Sequence, residues 1–293
     1  VTDFRLFLPQ MRMGLDVLVE RSRAAEAAGF GGIALMDHLA PPMAESQPMY
    51  EAMLTATWIA AHTETFGVGH LVLCDAMRHP TVLAREAVTL DHASGGRFEL
   101  GIGWGSVPAE LEMFGVGDTA APPRVRRLAE SLDVMTALWR GEPVDFEGEF
   151  LHVKGGVQQP TPLSAIPLVI GGAGRKTMEL VARHADWWNL PIYALDKLDE
   201  LRPSAGSARV SIQQMVAFVP DESKRDEVTA LATRRFGNHG EGLVIGDAAE
   251  LVDHFGGLRE RGVERFYVWF ADFAAPETLD GFGAGVIGKL TTV

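Results

Sequence analysis

The sequence predicts an α/β fold, a (β/α)8 TIM barrel, and three observations carry that prediction. Eight short apolar runs read as strands, and amphipathic helical patterns separate them. Alternation of this kind implies a parallel sheet with right-handed crossovers. Eight units in 293 residues suit a barrel, and no low-complexity linker divides the chain, so one domain over residues 1–293 is expected. A doubly wound open sheet is the rival architecture. Its glycine fingerprint is missing from the first strand-to-helix turn, Pro9 to Gly14.

Residues 4–8 form the first strand, ended by Pro9, and 15–28 form an amphipathic helix closed by Gly29. Strand two is 33–36, and a helix is expected over 50–64. Strand three is 69–73; Pro80 then opens a helix at the first-turn position proline favours, and Gly95-Gly96 stop it. Strand four, 98–102, leads into an irregular insertion over 106–123 and a long helix over 125–140. Alternating residues between 144 and 159, with Gly148 at the centre, read as a hairpin inserted before strand five. Leu168-Val169-Ile170 is strand five, followed by a glycine turn and a helix. Strand six is 185–190, a short helix follows over 195–201, and strand seven is 210–219. A helix covers 222–236. Asp247 and Glu250 form a capping-box pattern before a second helix, and strand eight, 265–270, precedes a terminal helical stretch.

The totals exclude several classes. A net charge of −13 and a pI near 5.1 make a poor nucleic-acid or anionic-membrane binder. Cys74 is the single cysteine, so no intrachain disulfide is possible. Neither a signal peptide nor a run of 18 apolar residues is visible, and a cytoplasmic location is expected.

A barrel places its chemistry at the C-terminal ends of the strands. Gln10, Asp37, His38, Cys74, Asp75, Trp104, Asn189, Trp269 and Asp272 stand there. His38 is the one histidine among them, and imidazole trades protons near neutral pH. The strand-to-helix turn Gly171-Gly172-Ala173-Gly174-Arg175 reaches the same face. Such a turn aims backbone N–H groups and a helix N-terminus at an anion, and its glycines remove the Cβ atoms that would hold a phosphate away. The remaining histidines (62, 70, 79, 92, 152, 184, 239 and 254) lack H-E-x-x-H or facial-triad spacing, so no metal site is expected. His92 and His184 fall at helix ends, where a cation suits the dipole. Trp187-Trp188 reads as packing, and Trp104, flanked by glycines, reads as a pocket wall. A phosphate turn without a nucleophile, metal or paired acid and base points to a bound organic cofactor.

Several motifs recur in order along nearly the whole chain. They are Gly29-Phe30 to Asp37-His38-Leu39, Arg78-His79-Pro80, Leu90-Asp91, Ser94-Gly95-Gly96-Arg97-Phe98, Arg127-Leu128 to Leu132, Leu138-Trp139, Phe146-x-Gly148, Ile170-Gly171-Gly172, Ala185 to Asn189, and Val244-Ile245-Gly246 to Gly262-Val263. Together they resemble the bacterial luciferase-like oxidoreductases, most closely the branch using coenzyme F420. The resemblance implies a (β/α)8 barrel with a flavin or deazaflavin at its C-terminal face. It implies a backbone bulge after strand three, often with a cis non-prolyl peptide, near Cys74-Asp75, and a phosphate held by the glycine turn. His38 matches a family histidine near ring and substrate. The expected cofactor-binding residues are Asp37, His38, Cys74, Asp75, Gly103, Trp104, Gly171, Gly172, Ala173, Gly174, Arg175 and Asn189, with His38 catalytic.

The chain departs from the family after strand four. Relatives often read Gly-Ala-Gly-Trp-Asn-Glu; here the residues are Gly103-Trp104-Gly105-Ser106-Val107-Pro108, with Glu110 retained. No Lys/Arg cluster is visible in the sequence, so a glucose-6-phosphate substrate is not expected. The leading expectation is F420-dependent hydride transfer to or from a small organic substrate. The alternatives are an FMN-dependent monooxygenase served by a separate reductase, and a cofactor-binding barrel without turnover. Related barrels are often dimers, and a homodimer is expected.

Overall fold

The first apolar run of the chain pairs with the last. β1 (Asp3–Phe7) lies between β2 (Gly32–Leu35) and the final strand, Arg265–Phe270, parallel to both. The computed structural model describes residues 2–41, 44, 46–237 and 242–291. His239 lies outside the described residues.

After β1 comes α1 (Leu15–Ala27), and after β2 comes α2 (Ala52–Ala60), whose Glu51 side chain caps Leu54 N. The third barrel strand is in two pieces, β3 (Gly67–His70) and β4 (Leu73–Cys74), with a cis peptide between Leu71 and Val72. The irregularity expected near Cys74-Asp75 therefore sits just upstream of it. α3 (Pro80–Ser94) starts at its proline and stops at left-handed Gly95. β5 (Leu100–Gly103) follows, then α4 (Pro108–Phe114) and α5 (Ala121–Leu138). The hairpin is β6 (Val144–Glu147) and β7 (His152–Gly156).

β8 (Leu168–Gly171), α6 (Arg175–His184), β9 (Trp187–Leu190), α7 (Leu198–Leu201), β10 (Arg209–Phe218) and α8 (Arg225–Phe236) continue the alternation. β11 (Leu243–Gly246), α9 (Ala248–Glu260), β12 (Arg265–Phe270) and α10 (Pro276–Phe282) complete it. The sheet order is β3-β2-β1-β12-β10-β9-β8-β5-β4. A bridge between Val68 and Phe98 closes the ring, with Val68 N donating to Arg97 O and Glu99 N donating to Val68 O. All pairings in this ring are parallel, as the alternation predicts.

Three expectations need correction. The 106–123 insertion is not all irregular: it contains α4 and the first turn of α5. The helix expected over 50–64 is shorter, because residues 61–66 turn into β3. Residues 243–246 form an unexpected strand, β11, beside the C-terminal half of β10. The capping box at Asp247 and Glu250 is present in full.

The core has two parts. Between sheet and helices, Phe282 of α10 meets Phe4, Phe30, Phe255 and Phe270 at 5.2–6.0 Å between ring centroids. Phe30 stacks on Phe282 and the other three rings meet it edge-on; aromatic pairs of these kinds add about 0.5–1.5 kcal/mol each beyond the area they bury. Inside the barrel, where the strands begin, a charged floor joins Arg5, Glu99, Arg265 and Tyr267. Above it Phe7, Ala34 and Tyr267 pack with Met36, Leu71 and Trp269. That apolar layer separates the floor from the C-terminal mouth. Trp187-Trp188 is packing as read: both are buried, and the Arg209 and Arg265 guanidiniums lie over the Trp187 ring.

Candidate active site

His38 follows β2 at the mouth and is fixed by a residue distant in sequence. Its Nδ1 donates to Glu110 Oε2 at 2.9 Å. The other Glu110 oxygen accepts from the backbone N–H groups of Leu39 and of Ala40, the latter at 2.8 Å. Glu110 is buried on α4, so the helix missing from the sequence reading is the one that supplies this partner. A carboxylate on Nδ1 fixes the tautomer and leaves Nε2 as the nitrogen free to take or return a proton. The His38 side chain keeps 16% exposure, enough to meet a ligand.

Asp37 does a different job from its neighbour. Its carboxylate takes both Arg78 terminal nitrogens, at 2.6 and 2.9 Å, and accepts from Cys74 N at 2.8 Å. It ties strand two to strand three and has little left to offer a cofactor. Asp75 is buried against Arg127, which also donates to the Asp75 carbonyl at 2.6 Å. Burial pushes the Asp75 carboxyl up and the Cys74 thiol up to about 11, so Cys74 is no nucleophile near neutrality. Gly103 pairs with Cys74 across β4 and β5. Next to it, Trp104 lies half-buried under the Arg124 guanidinium at 4.9 Å. These residues form one corner of the mouth with His38. Gln10 is spent on the Met36 and Tyr50 backbones, and Asp272 on the Ala274 N–H and the Thr278 hydroxyl.

The glycine turn forms the second group. Gly171 pairs with Asn189, and Gly172 N donates to Asn189 O at 3.1 Å. The Gly172 N–H is therefore used within the sheet and not offered to an anion. Gly172 has φ +138, and a Cβ there would lie 2.9 Å from Thr177 Cγ2. Gly174 is the N-cap of α6, with no side chain capping the helix. A Cβ at Gly174 would meet nothing closer than Thr177 Oγ1 at 4.0 Å. The uncapped first turn of α6, reached past Ala173 and Gly174, fits an anionic cofactor tail. Arg175 points elsewhere: it is 81% exposed and pairs with Glu179 at 3.0 Å.

Trp269 adds a donor the sequence reading placed only as a strand end. Its Nε1–H is buried without an acceptor among the described residues, while its ring packs edge-on to Phe7 at 5.2 Å and Phe236 at 4.9 Å. An orphaned indole N–H at a barrel mouth suits a ligand acceptor.

Fold and site define a class: a parallel barrel with an oriented histidine and an uncapped helix start at its C-terminal face. The chain belongs to the luciferase-like monooxygenase family, whose model matches residues 2–209. It is 30% identical over 239 residues to an F420-dependent glucose-6-phosphate dehydrogenase of Microbacterium testaceum, covering 77% of this chain and 69% of that protein. The structure resembles an F420-dependent secondary alcohol dehydrogenase solved with an F420-acetone adduct, with a TM-score of 0.83 at 19% identity and 98% of each chain covered. It also resembles the oxygenating constituent of 3,6-diketocamphane monooxygenase from Pseudomonas putida, solved with FMN, with a TM-score of 0.78 at 18% identity, covering 99% of this chain and 98% of that one. The protein is an F420- or flavin-dependent oxidoreductase of this family. No helix among the described residues is long and apolar enough to cross a membrane.

Proposed function

We propose that this oxidoreductase uses coenzyme F420 to move a hydride to or from a small organic substrate, with His38 as the acid–base group. The observation that carries the reading is the His38–Glu110 pair, which occupies Nδ1 and leaves Nε2 without a partner among the described residues on a side chain that keeps 16% exposure. A deazaflavin, when bound, supplies the hydride chemistry. The chain's residues supply the rest. The first turn of α6, with Ala173 and Gly174, would receive the tail phosphate. The broken strand at Leu71-Val72 and the Cys74–Gly103 pair would back the ring, and Trp104 would wall it. His38 Nε2 would give or take the substrate proton as charge develops on oxygen. The F420 preference is supported by the 30% identity to the Microbacterium testaceum dehydrogenase. The FMN-bound structural relative supports the second reading, a monooxygenase fed by a separate reductase.

Titration of purified protein with each cofactor tests the choice. We expect saturable F420 binding and no comparable FMN binding; tight FMN binding without F420 binding reverses it, and binding of neither leaves a barrel without turnover. We also propose a homodimer. Leu54 and Trp58 on α2 and Val82 on α3 are exposed apolar residues that support it. A monomer mass in light scattering at micromolar protein removes that proposal.

A further inference from the structure

Folding brings together two arginines that the sequence keeps far apart. Arg12 lies in the loop after β1, and Arg235 in the last turn of α8. Both guanidiniums lie over the ring of Phe273, just beyond β12, at 6.0 and 3.3 Å from its centroid. Arg235 Nη1 donates to Phe270 O at 3.2 Å and to Ala271 O at 2.8 Å, which fixes it at the C-terminal face. Its guanidinium also lies 5.9 Å from the ring of Trp269, whose indole N–H has no acceptor among the described residues.

Three features mark this spot. The chain carries 39 acidic against 26 basic residues, yet neither arginine forms an ion pair among the described residues. Asp272 is near, but its oxygens are used on the Ala274 and Ala275 N–H groups and the Thr278 hydroxyl. Burial, and then the charge of Arg12 beside it, brings the Arg235 pKa down to about 10 against the opposing pull of Asp272. Backbone conformation points to the same place. Among the described residues the non-glycine positions with left-handed φ are Arg12 (62°), Phe273 (62°) and Ala274 (59°), all here. Bulky residues held in that region cluster at ligand sites, where the strain is retained for function.

We infer that Arg12 and Arg235, gathered around Phe273, form an anion-binding subsite that takes a carboxylate or phosphate group of the substrate. The assignment to substrate rests on the proposed function, which puts the reacting ring over the same mouth. The cofactor's own tail has a separate receiver in the uncapped start of α6, after β8. Phe273 gives the guanidiniums an apolar platform, and Trp269 offers a neutral donor beside them. The substrate class is therefore an organic anion, its charged end over β12 and its reacting end toward His38.

Calorimetric titration with inorganic phosphate tests this, on the protein alone and on the protein saturated with F420. The variants are Arg12→Gly, which removes the side chain and relieves the left-handed backbone, and Arg235→Lys, which keeps the charge but loses the fork. Each should weaken phosphate about tenfold or more, as expected for a charge-assisted hydrogen bond. Arg12→Gly should leave F420 affinity within about twofold and should not lower the melting temperature, because glycine accepts a positive φ freely. Unchanged phosphate affinity in Arg12→Gly overturns the subsite. Competition between phosphate and F420, with weaker F420 binding in Arg12→Gly, overturns the assignment to substrate and gives the arginines to the cofactor tail. Failure of F420 and FMN to bind at all overturns the proposed function separately, and the phosphate titration still decides the subsite.

Discussion

Two groups of arginine occupy one barrel and differ in what faces them. At the floor, Arg265 meets Asp3 at 2.6 Å and Glu99 at 2.7 Å, and Arg5 meets Glu99 at 3.6 Å and Asp3 at 3.2 Å. Tyr267 completes the set by donating to Glu99 at 2.9 Å. At the mouth, Arg12 and Arg235 meet an aromatic ring and each other. The floor's charges are satisfied within the fold, and nothing there waits for a ligand. The mouth keeps donors in reserve: two arginines, the Trp269 N–H, the first turn of α6 and His38 Nε2. A barrel that separates stability from chemistry by the two ends of its strands has this distribution.

The largest expected effect breaks the floor. Glu99 is buried, and its neighbouring arginines hold its carboxyl below the usual carboxylate range against the opposing cost of burial. Glu99→Gln leaves Arg5 and Arg265 facing each other without a full counter-charge. Breaking a buried pair in this way costs about 3–5 kcal/mol. Arg12→Gln at the exposed mouth position should cost less than about 0.5 kcal/mol, as surface changes do. Urea unfolding of both variants checks the contrast, and equal costs would end it.

His38→Ala is the converse experiment. We expect kcat to fall by about 10²–10⁴ with cofactor affinity within a few-fold and the fold unharmed. Glu110→Gln keeps a hydrogen-bond partner but not the charge, so it should fall between wild type and His38→Ala. Collapse of cofactor affinity with turnover intact would make His38 a cofactor-positioning residue instead.

His70 sharpens the comparison from the wall of the barrel. It ends β3, is fully buried, and packs edge-on to Phe98 at 6.0 Å. Burial brings its pKa down to about 4 from the ordinary 6.5; Asp37 and Glu51 pull it up, and Arg78 pushes it down. Folded protein therefore keeps His70 neutral where the unfolded chain protonates it. The stabilisation is complete above pH 6.5 and is lost as pH falls from there toward 4, by about 3 kcal/mol in total. His70→Leu should flatten stability across that window, measured by urea unfolding at stepped pH. An unchanged slope would assign the acid sensitivity to other groups.

What was legible in the sequence follows from the length scale of the contacts. Leu168-Val169-Ile170 announces a strand because it is buried on both faces, and Asp247 with Glu250 announces a helix start through a contact spanning three residues. α4 was missed because its apolar residues do not share one face: Leu111 is buried, while Met113 and Phe114 are exposed. β11 was missed because three half-buried residues and a buried glycine, paired only with the end of β10, make a weak pattern. In the site, His38 could be picked out by its strand-end position. Glu110 stood out only as a retained family residue, and its pairing with His38 could not be read, since the two lie 72 residues apart. Asp37 and His38 look alike as strand-end neighbours, and only folding shows that one is structural and the other is open to a ligand. The meeting of Arg12 and Arg235 has no local signal at all.

The smallest expected effect on stability concerns the glycine turn, where two glycines separate fold from ligand as floor and mouth do. Gly172 is required by the backbone: its φ is +138, its N–H serves Asn189, and an added methyl would press on Thr177 Cγ2 at 2.9 Å. Gly172→Ala should cost about 1–3 kcal/mol of stability through that strain, and any loss of cofactor affinity would follow from the distorted turn. Gly174 has an ordinary extended conformation, φ −76 and ψ 144, with open space where a methyl would go. Gly174→Ala should therefore change the unfolding free energy by less than about 0.5 kcal/mol. An anion reaching the first turn of α6 would meet that methyl, so F420 should bind about tenfold more weakly, the loss of one charge-assisted hydrogen bond. Unchanged F420 affinity in Gly174→Ala, with the fold intact, would take the start of α6 out of the cofactor site and leave the mouth arginines as its remaining anion receiver.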